Sequence, residues 1–173
     1  MSEYGLQVSY VPDDEYLGEI VATVRTEHFS GRGSTWIDRQ QTSEAFVLAL
    51  RAYPLSATDP PLLEGEHRDR LRIAVRPFDS KGTLLVQVDI VTQSHSTPDQ
   101  DLQQSATARF LTTYSALEAF ARELEQVLDG NREQAVLASI GRSEEAFLPQ
   151  REAANIRMPT QLLWCRNDPV IDA

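Results

Sequence analysis

The sequence predicts an α+β domain: one antiparallel β-sheet of five or six strands, covered on one face by two amphipathic helices. Several segments alternate apolar and polar residues with the period of two that half-buries a strand. Two other segments, 46–53 and 117–128, repeat apolar residues at helical spacing. The strands come in runs joined by turn-forming residues, without the strand–helix–strand alternation of a parallel sheet.

Leu6, Val8 and Tyr10 alternate in a first short strand, and Ile20, Ala22, Val24 and Thr26 mark the buried face of a second. Pro12-Asp13-Asp14-Glu15 separates them as a turn, because proline presets φ and aspartate tolerates tight backbone geometry. The pair reads as an antiparallel hairpin. Segment 30–34, Ser-Gly-Arg-Gly-Ser, then reads as a turn before a short strand at Trp36 and Ile37. Thr42-Ser43-Glu44 opens a helix, where a hydroxyl accepts from the free amides and Glu44 suits the dipole. Phe46, Val47, Leu50 and Tyr53 form its apolar face, and Pro54 ends it.

Residues 54–66, with Pro60-Pro61, form a connector. Leu71, Ile73 and Val75 are then set against Leu84, Val86, Val88 and Ile90 in a hairpin turned by Asp79-Ser80-Lys81-Gly82. Residues 93–104 are polar and expected to be a long exposed loop. Ala108, Phe110 and Thr112 mark one more strand, and Ser115-Ala116-Leu117-Glu118 has capping-box spacing. The helix that follows puts Leu117, Phe120, Ala121, Leu124, Val127 and Leu128 on one stripe and stops at Gly130. A further helix is expected over 133–140, in the same layer.

The 173 residues suit one domain, 1–141, with a C-terminal arm or tail, 142–173, packing on that domain or on a second subunit. Left free, Leu162, Leu163 and Trp164 would expose an apolar run. With 41% hydrophobic residues, the chain is too apolar for a disordered segment. A net charge of −10 argues against a general nucleic-acid partner, which requires an excess of Lys and Arg. Cys165 is alone, which excludes an internal disulfide and any cysteine-caged metal. The N-terminus lacks the basic stretch and apolar run of a signal peptide, and no window has the apolar length of a membrane span. The expected compartment is the cytoplasm.

No catalytic signature stands out, so no catalytic residue, cofactor or metal is assigned. His28, His67 and His95 lack metal-ligand spacing and read as solvated strand-end residues. The glycine-rich segment after Phe29 has no lysine after Gly33, as a phosphate-cradling loop requires. Arg68, Arg70, Arg72 and Arg76 are the one basic concentration. They read as a solvated sheet face paired with Glu19, Glu27 or Asp89, the alternative being an anion-recognising surface. Asp13-Asp14-Glu15 lacks calcium-loop spacing.

Two resemblances bear on function. Segment 156–170, which contains Leu162-Leu163-Trp164-Cys165-Arg166-Asn167-Asp168-Pro169, resembles the late strand of α/β-hydrolases. That resemblance implies Asp168 as a triad acid. However, no G-x-S-x-G elbow occurs in the chain, no histidine follows Asp168, and Cys165 stands where the family has glycine. More broadly, residues 17–130 are similar in layout to the WapI-type immunity family. The similarity lies in Phe29-Ser30-Gly31-x-Gly33-x-x-Trp36, Tyr53-Pro54-Leu55 and Thr112-Thr113-Tyr114-x-x-Leu117-x-x-Phe120. It implies a bacterial protein that neutralises a toxin, and it carries over no functional residue.

The first expectation is therefore a non-catalytic protein-binding domain, an immunity protein whose acidic surface meets a basic toxin domain. The alternative is a small-ligand binder or hydrolase-like enzyme using a pocket between sheet and helices near His28, Ser30 and Arg32. A homodimer is the other partner expectation.

Overall fold

A computed structural model describes residues 4–65, 70–92 and 104–140 of the chain. The expectations for His67, Arg68, His95, most of the 93–104 loop, the 142–173 tail and Asp168 lie outside the described residues.

The α+β class and the antiparallel pairing hold, but the single sheet does not. Among the described residues the strands form two four-stranded antiparallel sheets. The first has the order β3-β2-β1-β8, from β1 (Gly5–Pro12), β2 (Leu17–Arg25), β3 (Ser30–Asp38) and β8 (Ala135–Ala138). The second has the order β4-β5-β6-β7, from β4 (Leu62–Glu64), β5 (Arg70–Pro77), β6 (Thr83–Thr92) and β7 (Gln104–Thr113). Each sheet has one apolar face, and apposing the two faces withdraws both from water. Leu6, Val8, Ile20, Ala22 and Val24 of the first share one core with Leu71, Ile73, Val75, Val86 and Val88 of the second.

The approach is closest at β3, which lies against β5 and β6. Gly31, Gly33, Thr35 and Ile37 turn inward there, and the bare backbone at Gly33 receives Ile90. The expected turn over 30–34 is thus the first half of a nine-residue strand. Its glycines serve close packing rather than chain reversal.

The β1–β2 turn is closed by Asp14, whose Oδ1 accepts from the amides of Tyr16 and Leu17, both at 2.7 Å. In the β5–β6 turn, Asp79 Oδ1 accepts from Lys81 N at 2.8 Å and Thr83 N at 3.0 Å, and Gly82 sits at φ +91°. Both hairpins follow the sequence reading.

The helical layer differs in detail. The first helical segment starts at Arg39, not at Thr42, because Asp38 Oδ1 takes the Gln41 amide at 2.7 Å as its cap. It runs through α1 (Arg39–Thr42), one π-helical turn (Ser43–Val47) and α2 (Leu48–Leu50). Phe46, Val47 and Leu50 are buried as expected, whereas Tyr53 is 81% exposed and meets the Tyr114 ring edge-on at 4.9 Å. The connector that follows contains β4, which pairs with β5.

Helix α3 (Tyr114–Leu128) buries Leu117, Phe120, Ala121, Leu124, Val127 and Leu128, the stripe read from the sequence, and Gly130 follows at φ +74°. Its cap is Thr113, whose Oγ1 accepts from Ala116 N at 3.2 Å, rather than Ser115. The helix packs on β1, β7 and β8.

The helix expected over 133–140 is instead β8, antiparallel to β1. Ala135 and Leu137 are buried while Val136 is exposed. The Glu123 carboxylate of α3 accepts the Val136 amide at 3.0 Å and pairs with Arg132 at 2.9 Å. An open sheet edge satisfies backbone groups that an isolated helical turn would leave unpaired.

Candidate functional site

Along one pair of edges the two sheets are joined by hydrogen bonds. Next to β8, Ile140 N donates to Leu111 O of β7 at 2.8 Å, and Thr112 Oγ1 donates to Ala138 O at 2.9 Å. The other two edge strands, β3 and β4, each pair with a single neighbour among the described residues. Between them lies a groove of about 510 Å³.

Its walls come from three places. The end of β3 and the start of β2 supply Trp36, Ile37, Asp38 and Leu17. The first helical segment supplies Gln41, Thr42, Ala45 and Phe46, and the β4 side supplies Leu62, Leu63, Glu64 and Gly65. Ile37, Phe46 and Leu63 are buried and make an apolar floor. Leu17, Trp36 and Leu62 line the same groove yet are 45%, 40% and 40% exposed. Large apolar side chains left in water around a concavity are the composition of a recognition surface.

Among the described residues the charged lining is Asp38 and Glu64, with no Lys or Arg. A shallow extension past Gln40 adds Glu44, whose Oε1 accepts from Gln40 Nε2 at 2.9 Å. Trp36 stands directly across from Glu19 in the β2–β3 register, on the outer face of the sheet. An aromatic face among carboxylates favours an ammonium or guanidinium group. Beside the Gly65 wall, the buried Thr35 hydroxyl has no hydrogen-bond partner among the described residues. The Tyr10 hydroxyl is also buried without one, and burial pushes its pKa above the ordinary tyrosine value.

The residues named in the ligand-pocket alternative do not meet here. His28 projects from the β2–β3 turn with its side chain 87% exposed, 3.7 Å from the Glu27 carboxylate. Ser30 and Arg32 are exposed on β3, and none of the three lines the groove.

Of the arginine face, Arg72 and Arg76 are exposed on the outer side of the second sheet, where Arg72 stands across from Asp89 and Glu64. Glu19 belongs to the other sheet and Glu27 to the turn after its second strand, and neither pairs with Arg72 or Arg76 among the described residues. Asp89 instead accepts from Thr107 Oγ1 at 2.7 Å and Gln87 Nε2 at 2.9 Å, and Arg109 Nε donates to Gln87 Oε1 at 3.0 Å. No cluster of three His, Cys, Asp or Glu side chains suited to a metal ion occurs among the described residues. No helix among them is long and apolar enough to cross a membrane.

No family model matches the chain, and no curated protein matches its sequence. The groove therefore has to be interpreted from its own chemistry. The sequence reading missed it because its walls are far apart in the chain, at 17, 36–46 and 62–65. Trp36, an aromatic side chain on the polar face of an alternating strand, was the one local signal.

Proposed function

We propose that this is a non-catalytic protein-binding domain that takes a basic protein partner on the groove between β3 and β4. The observation that carries the reading is the groove's composition: exposed Leu17, Trp36 and Leu62 around Asp38 and Glu64, with no cation in the lining among the described residues. A buried apolar anchor supplies most of the affinity of such a contact, and the surrounding charge supplies specificity and association rate. The chain's net charge of −10 adds long-range attraction for a cationic surface. A basic toxin domain neutralised by an immunity protein fits this chemistry, which is also what the sequence resemblance of residues 17–130 to the WapI-type immunity family implies.

The test is affinity capture from native lysate at low and high salt, with the wild type and the Trp36→Ala and Glu64→Gln variants run together. The expected result is a stoichiometric basic protein held by the wild type, released by salt and lost from both variants. Capture that is indifferent to salt and to both substitutions would refute the groove as the binding surface.

A further inference from the structure

The outer face of the first sheet has a pattern of its own. Side chains alternate across a strand, so a buried Ile20, Ala22 and Val24 put Glu19, Val21 and Thr23 of β2 on the opposite face. The β1–β2–β3 register then sorts the outward residues into rows. Val11, Glu19 and Trp36 share one row, Ser9, Val21 and Ser34 the next, and Gln7, Thr23 and Arg32 a third. Leu17 and Asp38 extend the face beyond the Glu19 row, and Arg25 and Ser30 extend it beyond the Arg32 row.

Among the described residues of this face, charge is ordered along the strands. Glu19 and Asp38 stand at one end, Arg25 and Arg32 at the other, and the uncharged Ser9–Val21–Ser34 row lies between them. Val11, Leu17, Trp36 and Val136 are exposed large apolar side chains on the same face. Apolar side chains left in water on a flat, charge-ordered sheet mark a surface of association.

A face with acid at one end and base at the other is complementary to itself. Consider two copies laid face to face about a two-fold axis that runs along the Ser9–Val21–Ser34 row. Each row then covers the row equally far on the other side of the axis, so the Glu19–Trp36 row covers the second copy's Thr23–Arg32 row. Trp36 meets the second copy's Arg32, and Glu19 lies one strand from that guanidinium. An axis along the strands would instead set acid on acid and base on base. Charge therefore selects the first arrangement.

We infer that the outer face of the first sheet binds a second copy of this chain, as a two-fold dimer in which the Glu19–Trp36 end of each copy covers the Arg25–Arg32 end of the other. A guanidinium over an indole is favourable, and Trp and Arg are the residue types that dominate interface energies. At about 4.8 Å between strands and 3.3 Å per residue, the face covers roughly 450 Å² per copy. About 900 Å² over both copies is the size of a weak, reversible contact. The inference goes beyond the groove reading and does not rest on it, since Glu19, Arg25 and Arg32 do not line the groove. Trp36 borders both surfaces, so the test leaves it unchanged.

The experiment is analytical sedimentation of the full chain at low salt, from micromolar to millimolar concentration. Glu19→Arg and Arg32→Glu are run separately and as an equimolar mixture. Either reversal alone sets like charges against each other at both symmetry-related contacts. The expected results are a concentration-dependent dimer for the wild type and association weakened about tenfold or more for each variant alone. Association should recover in the mixture, where the two reversed charges meet across the interface. Val21→Lys puts two ammonium groups beside the axis and should also abolish the dimer. Arg72→Glu makes the same change in net charge on the outer side of the second sheet and should leave the dimer intact.

A wild type that stays monomeric at the highest concentration would overturn the dimer and leave the groove reading standing. A dimer indifferent to both reversals and to Val21→Lys, or weakened as much by Arg72→Glu, would overturn it as well. So would a mixture that associates no better than its two components.

Discussion

The contact between the two sheets can be tested at Gly33. A Cβ at this position would fall 2.5 Å from Ile90 Cγ2 and 3.2 Å from Ile90 Cγ1. Ile90 is 5% exposed and branched at Cβ, so neither carbon can rotate away without displacing packed neighbours. Overpacking of this kind costs about 1–3 kcal/mol. Gly33 has no positive φ, so alanine fits the backbone and gains about 0.4–1 kcal/mol from the less flexible unfolded chain. The net expectation for Gly33→Ala is a loss of about 1–2 kcal/mol. At a urea m-value of about 2 kcal/mol/M, the unfolding midpoint falls by roughly 0.5–1 M. Ile90→Ala alone loses about 2–5 kcal/mol through the cavity it leaves. In the double variant the new methyl group occupies part of that cavity, so the two losses fall short of their sum by about 1 kcal/mol or more. Urea unfolding of the four proteins, followed by circular dichroism, measures the cycle. A Gly33→Ala variant as stable as the wild type, or losses that add within about 0.5 kcal/mol, would refute the packing of β3 on β6.

Other predictions rest on different forces. Gly130 has φ +74° and nothing within 4 Å of a Cβ, so Gly130→Ala should cost about 1–2 kcal/mol through backbone strain alone, with asparagine better tolerated than alanine in the same melts. Thr113→Ala removes the cap on the Ala116 amide and should cost about 1 kcal/mol, while Thr113→Ser should restore most of it. Asp14 is held below the usual carboxylate pKa of 3.8 by the Leu17 and Tyr16 amides, and Asp79 by its Thr83 and Lys81 hydrogen bonds. Because the folded values are depressed, their contribution to stability is present above pH 3.8 and lost as pH falls through the folded values. Carboxyl carbon titration by NMR should put both midpoints below 3.8, and midpoints at or above it would rule out the turn geometry.

Much of the local structure was legible in the sequence, because local rules govern it. The alternation of Ile20, Ala22 and Val24, the Asp14 and Asp79 turns and the stripe from Leu117 to Leu128 each follow from neighbours a few residues apart. Gly130 as a helix stop belongs to the same class.

The remainder depended on which distant segments meet. Residues 135–138 have a composition compatible with helix, and the free edge of β1 together with Glu123 of α3 makes them a strand. Gly31 and Gly33 look like turn residues until Ile90 lies against them, and the connector yields β4 only because β5 offers it an edge. Apolar alternation states that a strand has one dry face but not which sheet covers it, so one sheet and two apposed sheets read alike. The groove is the clearest case, since its floor, rim and charge are drawn from segments with no sequence relation to one another. Composition alone determined that the chain is acidic, whereas the tertiary contacts decided where Trp36, Asp38 and Glu64 come together, because burial and strand pairing are properties of neighbours in space.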